Sequence, residues 1–236
     1  MNPNMANLEI LDLKSVFERW ALEGLEQEMA SVHRRTANDV LSRIPLSPGD
    51  RILDVGTGNG FAARTLASQE PHAQVYGLDL SPNMVRSANS HESESRIEYI
   101  IGEMHSYPFK DNSFGYVFMM DVIEYSPDPE QALREIHRVL RPEGQLYCAN
   151  LFYKEVVNIQ PELADRDGIQ LCWGKDEFRK AFRTSGFTSI QQTHIPDTEV
   201  TIPSEESCKQ MGWDSRTQAE TVYRDLGALL TTGVVD

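Results

Sequence analysis

Residues 53–60 read Leu53-Asp54-Val55-Gly56-Thr57-Gly58-Asn59-Gly60, a glycine turn that closes a short apolar run, Arg51–Val55, and opens a helical stretch at Phe61. Glycines at 56, 58 and 60 let the chain reverse tightly and let a ligand touch bare backbone. The spacing discriminates between ligands. A dinucleotide fingerprint, G-x-G-x-x-G, demands a glycine at 61, where this chain has Phe61. The next apolar run, Val75-Tyr76-Gly77-Leu78-Asp79, ends on an acid. That acid stands about twenty residues past the turn, where a carboxylate accepts hydrogen bonds from ribose hydroxyls in such folds. Each feature alone has a plainer reading, because glycine turns follow many strands and acids at strand ends cap helices. Together, on alternating strands and helices, they point to a nucleotide-type ligand.

Working outward, strands are expected at Arg51–Val55, Gln74–Leu80, Ile97–Ile101, Phe114–Met120 and Gly144–Leu151. Helices are expected between them at about Phe61–Ser68, Pro82–Asn89 and Pro129–Leu140. Phe114–Met120 is apolar at nearly every residue, as suits a parallel strand covered on both faces. The alternation predicts an α/β fold, a Rossmann-like, doubly wound, mostly parallel sheet. Upstream, Leu13, Val16, Phe17, Trp20, Ala21 and Leu25 recur at helical spacing, and a second helix is expected from Glu26 to Ile44. Downstream come a long connection, Phe152–Trp173, a helix at Lys175–Ser185 and a strand at Phe187–His194. A short strand at Glu199–Ile202, a helix at Thr217–Leu230 and six frayed residues complete the reading. The resulting division is an N-terminal helical cap over 1–47, a core over 48–203 and a C-terminal helical tail over 204–236.

The 236 residues carry a formal charge of −14. Such a surface repels phosphate backbones and anionic bilayers, so neither a nucleic-acid partner nor a membrane is expected. No apolar run reaches spanning length, and the first basic residue, Lys14, gives no leader pattern, so a cytoplasmic location is expected. Cys148, Cys172 and Cys208, with the six histidines, show no metal spacing, and no metal is expected.

From about Pro48 to His194 the residues resemble the class I S-adenosylmethionine-dependent methyltransferases. Asp54 with Gly56, Gly58 and Gly60 is similar to that family's first motif, and Asp79 to its ribose-binding acid. Ile101-Gly102-Glu103-Met104, then Pro108-Phe109, then Asp111-Asn112-Ser113-Phe114 resemble the block of small-molecule enzymes of the ubiquinone and menaquinone type. Gly115 stands where the family usually has an acid. The resemblance implies S-adenosyl-L-methionine as cofactor, held by Asp54, Gly56, Thr57, Gly58, Gly60, Asp79, Leu80, Met84, Glu103, Met104 and Asp121. Glu103 takes the adenine-binding place with one methylene more than the usual Asp. Relatives often carry E-H at 124–125, the His acting as a base in some, whereas this chain has Tyr125. Asp121, Tyr125 and His33 are therefore the candidates beside the reacting atoms, and Trp20, Tyr153 and Trp173 the candidate aromatic walls. The expected activity is methylation of a small-molecule acceptor. The alternative is a regulatory or assembly protein that binds S-adenosylmethionine without transfer.

Overall fold

The computed structural model describes residues 3–23, 34–91, 96–156, 169–202, 204–210 and 213–236. A single seven-stranded sheet runs in the order β3-β2-β1-β4-β5-β7-β6. Its strands are β1 Arg51–Val55, β2 Gln74–Asp79, β3 Ile97–Ile101, β4 Phe114–Met120, β5 Leu140–Asn150, β6 Thr188–Ile195 and β7 Ala228–Val234. The first five are parallel, and β7 lies antiparallel to both β5 and β6. Consecutive residues of a strand face opposite sides of the sheet, so the unbroken buried runs in β1 and β4 mean that both faces are covered.

Helix α1 spans Pro3–Glu23, α2 spans 34–41, α3 Phe61–Gln69, α4 Pro82–Ser90 and α5 Pro129–Val139. Helices α4 and α5, which open with proline, start for a legible reason. Ser81 and Asp128 cap them, each accepting a hydrogen bond from a main-chain N–H three residues on, at 3.2 and 2.9 Å. The proline that follows has no N–H to leave unsatisfied. Helix α6, Lys175–Thr184, ends before Gly186 and leads into β6.

The chain order of the sheet fixes the ligand cleft. From β1 the chain moves outward through β2 and β3, then returns to place β4 on the other side of β1. At that switch point the connections leave in opposite directions and open a crevice beyond the carboxyl ends of β1 and β4.

Three expectations fail in the C-terminal part. Glu199–Ile202 forms no strand. The helix expected at Thr217–Leu230 is short: an α-helical turn at Arg216–Thr221 continues as a π-helix over Val222–Leu226 and stops at Gly227. The end of that expected helix and the first residues expected to fray instead build β7, which pairs Cys148 with Thr231 on one side and His194 with Leu229 on the other. The segment taken as a helical tail thus supplies an interior strand. Its sharp turn is steric, because a Cβ on Gly227, at φ +61°, would lie 1.8 Å from the Ile195 carbonyl oxygen. Of the second N-terminal helix, 34–41 is helical, and its expected beginning at Glu26 lies outside the described residues.

Candidate active site

The glycine turn and Asp79 meet across the cleft. The Asp79 carboxylate accepts the Gly58 N–H at 2.9 Å through one oxygen and the Ser81 N–H at 2.9 Å through the other. The carboxyl is only 8% exposed, and burial raises its pKa to about 6 against the opposing pull of these hydrogen bonds. Asp54 works beneath the turn. It accepts the Thr57 hydroxyl at 2.6 Å and the Ala63 N–H at 3.1 Å, and burial lifts its pKa to about 7. Gly56, Gly58 and Gly60 all have positive φ. A Cβ on Gly58 would meet no protein atom within 4 Å, so its backbone is bare to the cleft.

Leu80 just after β2, Met84 on α4, and Glu103 and Met104 after β3 line the same cleft. Asp121, just past β4, lines it at the switch point. Asp121 holds a left-handed φ of +51°, which an L-residue adopts only under restraint. Its carboxylate accepts the Leu151 N–H at 2.7 Å, which supplies that restraint. Tyr125 lines the cleft too, its ring edge-on to Phe17 with centroids 5.0 Å apart. Helix α1 contributes Leu13, Phe17 and Trp20 as a cover. Glu18 on the same helix accepts hydrogen bonds from the Ser81 hydroxyl at 2.8 Å and from the Asn83 side chain.

Residues 53–148 match the family model of a methyltransferase domain. The methyltransferase solved in complex with the Haloferax volcanii Trm112 methyltransferase activator is 34% identical, covers 93% of this chain and 97% of its own, and superposes with a TM-score of 0.84. This chain belongs to the class I S-adenosylmethionine-dependent methyltransferases.

Demethylmenaquinone methyltransferase of Geobacillus kaustophilus is 27% identical to this methyltransferase over 186 residues, 67% of this chain and 80% of that relative. Phosphoethanolamine N-methyltransferase 2 of Caenorhabditis elegans is 41% identical over 102 residues, but the match spans only 23% of that protein's length. The cofactor of the family, S-adenosyl-L-methionine, fits the residues present. A bare turn of main chain faces a buried carboxylate, and the rest of the wall is mostly apolar with acids at Glu103 and Asp121, as a nucleoside with a cationic sulfonium tail requires.

The other expected site residues divide. Thr57 lines the cleft while its hydroxyl is engaged by Asp54. Gly60 is not among the lining residues, and a Cβ there would lie 2.4 Å from the Tyr99 hydroxyl. His33 lies outside the described residues. Of the three aromatics singled out, Trp20 reaches the cleft, Tyr153 is buried with its hydroxyl 3.1 Å from His194 Nδ1, and Trp173 packs edge-on against Phe178.

Sequence reasoning passed over His105 and Phe152, both of which line the methyltransferase's cleft. His105 Nε2 lies 2.8 Å from the Ser126 hydroxyl, and burial lowers its pKa. Its place directly after Glu103-Met104 was the available signal. Glu124 was also passed over. It is 2% exposed, and burial followed by the nearby Asp121 raises its pKa well above the carboxylate range. It accepts from the Asn150 amide at 3.1 Å, and its main-chain carbonyl accepts the N–H groups of Gln170 and Leu171. Among the described residues, no cluster of three or more His, Cys, Asp or Glu side chains could hold a metal ion, and no helix is long and apolar enough to cross a membrane.

Proposed function

We propose that this methyltransferase acts on a small, uncharged acceptor with an apolar body. The carrying observation is the lining of the cleft. Phe17, Trp20, Met104, Tyr125 and Phe152 supply apolar and aromatic wall, and the carboxylates of Asp54, Asp79, Glu103 and Asp121 supply the charge. Among the described lining residues there is neither Lys nor Arg. A phosphorylated or carboxylated acceptor would meet like charge without a counter-ion, whereas a neutral ring or chain would bury apolar surface favourably.

In this reading Asp79 holds the donor's ribose, Gly56 and Gly58 lie along its main length, Glu103 and Met104 hold its adenine end and Asp121 its methionine end. When bound, S-adenosylmethionine supplies an electrophilic methyl on a sulfonium, so the difficult chemistry resides in the donor. The protein aligns the acceptor, and its α1 cover excludes water. Asp121, Tyr125 and His105 are the groups at hand to orient or deprotonate an acceptor atom. Burial lowers the pKa of His105, which favours the neutral imidazole that can accept a proton. The N-terminal cap over 1–47 and a catalytic core beginning at 48 remain our division of the chain.

The test is incubation with methyl-labelled donor and a panel holding a neutral quinol, a phenol, phosphoethanolamine and a malonyl thioester. Label is expected on the neutral acceptors. Label carried by phosphoethanolamine, the malonyl carboxylate, protein or RNA would sink the reading. A second reading rests on the near full-length likeness to a methyltransferase solved with an activator protein. There this chain also pairs with a small activator of the Trm112 kind, and co-expression with one raises soluble yield and activity; equal yield and activity with and without it tell against that pairing.

A further inference from the structure

The cleft's charge poses a problem for the donor itself. S-adenosylmethionine ends in an α-carboxylate as well as an ammonium, and the described lining offers that carboxylate acids but no cation. A guanidinium stands one layer back. Phe61, the first residue of α3 after the glycine turn, lines the cleft, and Arg34 Cζ lies 4.8 Å over its ring centroid. Ala37, three residues after Arg34 on α2, also lines the cleft. Positions i and i+3 share a helix face, so Arg34 projects on the side that borders the site. Its neighbour Arg35 is spent elsewhere, on Asp197 at 3.4 Å and on Glu199. Arg34 is exposed and makes no ion pair among the described residues. A planar fork of donors resting on an aromatic ring, with its N–H groups uncommitted, is suited to a carboxylate.

We propose that Arg34 grips the α-carboxylate of the donor, positioned for it by Phe61. The proposal rests on the reading that the donor lies along the glycine turn, with its methionine end toward β4 and α2. Phe61 then serves two purposes, as wall of the cleft and as platform for the guanidinium. The acceptor space stays without a cation because this one is occupied by the donor.

Two ligands that differ in the amino-acid tail isolate the effect. S-adenosylhomocysteine contains the carboxylate, and 5′-methylthioadenosine lacks it. Calorimetric titration of the full chain should show Arg34→Gln weakening S-adenosylhomocysteine about tenfold, the lower range for a charge-assisted hydrogen bond, while 5′-methylthioadenosine changes less than about twofold. Arg34→Lys, which keeps the charge without the fork, should fall between. Because Arg34 is exposed, both variants should melt like the parent. S-adenosylhomocysteine affinity untouched by Arg34→Gln overturns the proposal, and so does an equal loss for both ligands. Asp79→Ala, run beside them, weakens both ligands alike, because both contain the ribose. That arm reports on where the donor lies, whereas the ratio between the two ligands reports on Arg34.

Discussion

Gly56 and Gly58 sit two residues apart with similar φ, +68° and +54°, yet a side chain would fail for different reasons at each. A Cβ on Gly56 would come within 2.4 Å of Val122 Cγ2, a collision inside the protein. Gly56→Ala should therefore lower thermal stability by about 1–3 kcal/mol through overpacking, with ligand loss following from the damaged turn. A Cβ on Gly58 meets only open cleft. Gly58→Val should cost less in stability, from the left-handed φ alone, and abolish S-adenosylhomocysteine binding by filling ligand space. Melting curves and titrations of the pair separate the two. If Gly58→Val binds normally, the donor does not cross that backbone. Asp79→Ala should cost about 10- to 150-fold in donor affinity, the range for hydrogen bonds to a charged group.

The same carboxylate sets a pH dependence. Burial raises Asp79 to about 6 and Asp54 to about 7, above the ordinary value of 3.8. Their contribution to stability is therefore complete below about pH 4, where folded and unfolded chains are both protonated. It is lost progressively as pH rises from about 4 to 6 and 7, the interval over which the unfolded chain has released protons that the folded one retains. Donor binding runs the other way. Ribose hydroxyls donate to the ionised carboxylate, so affinity for S-adenosylhomocysteine should rise from pH 5 to pH 7.5 as Asp79 ionises. A flat affinity profile across that interval would remove Asp79 from the ribose.

At the scale of elements, α1 is tied to the site by a small set of contacts. Glu18 reaches the Ser81 hydroxyl and the Asn83 side chain, and Phe17 meets Tyr125 edge-on. Hydrogen exchange across Leu13–Glu23 should slow when S-adenosylhomocysteine binds, and Glu18→Ala should erase most of that slowing. Unchanged exchange would leave α1 a purely structural cover.

Elements were legible where one physical signal stood alone. The alternation around the glycine turn and the nearly all-apolar run of β4 were such signals, and β1 to β4 formed within a residue of their expected bounds, whereas β5 begins four residues early, at Leu140. Strand β7 misled for a definite reason. Val222, Leu226, Leu229 and Leu230 fall at i, i+4, i+7 and i+8, the stripe of an amphipathic helix. A strand buried on both faces shows no alternation to contradict it. The contrary signals were Gly227 and the β-branched pair Thr231-Thr232. In the site, Asp79 and the turn were readable because spacing along one chain segment carries them to the same strand ends. Phe152 was not readable, since nothing in its own segment says which strand end it will approach.

For the whole molecule, β7 decides whether the second half of the sheet exists. Among the described residues strand β6 has β7 as its sole neighbour in the sheet, and β7 in turn covers the edge of β5. Truncation before Gly227 should leave β1 to β5 without a closed edge and abolish the cooperative melting transition, as followed by circular dichroism. A sharp transition in the truncated chain would show that the five parallel strands suffice. The same arrangement has a consequence during synthesis. A ribosome that has just released Ile195 exposes a nascent β6 with alternate polar residues but no partner, and it must translate through Val234 before that partner exists. The parallel strands can begin to pair early, while the edge of β5 stays open as a place where another nascent chain could add its own strand. Slower translation between the codons for Ile195 and Val234, or crowding of neighbouring ribosomes, should therefore raise aggregation of this chain.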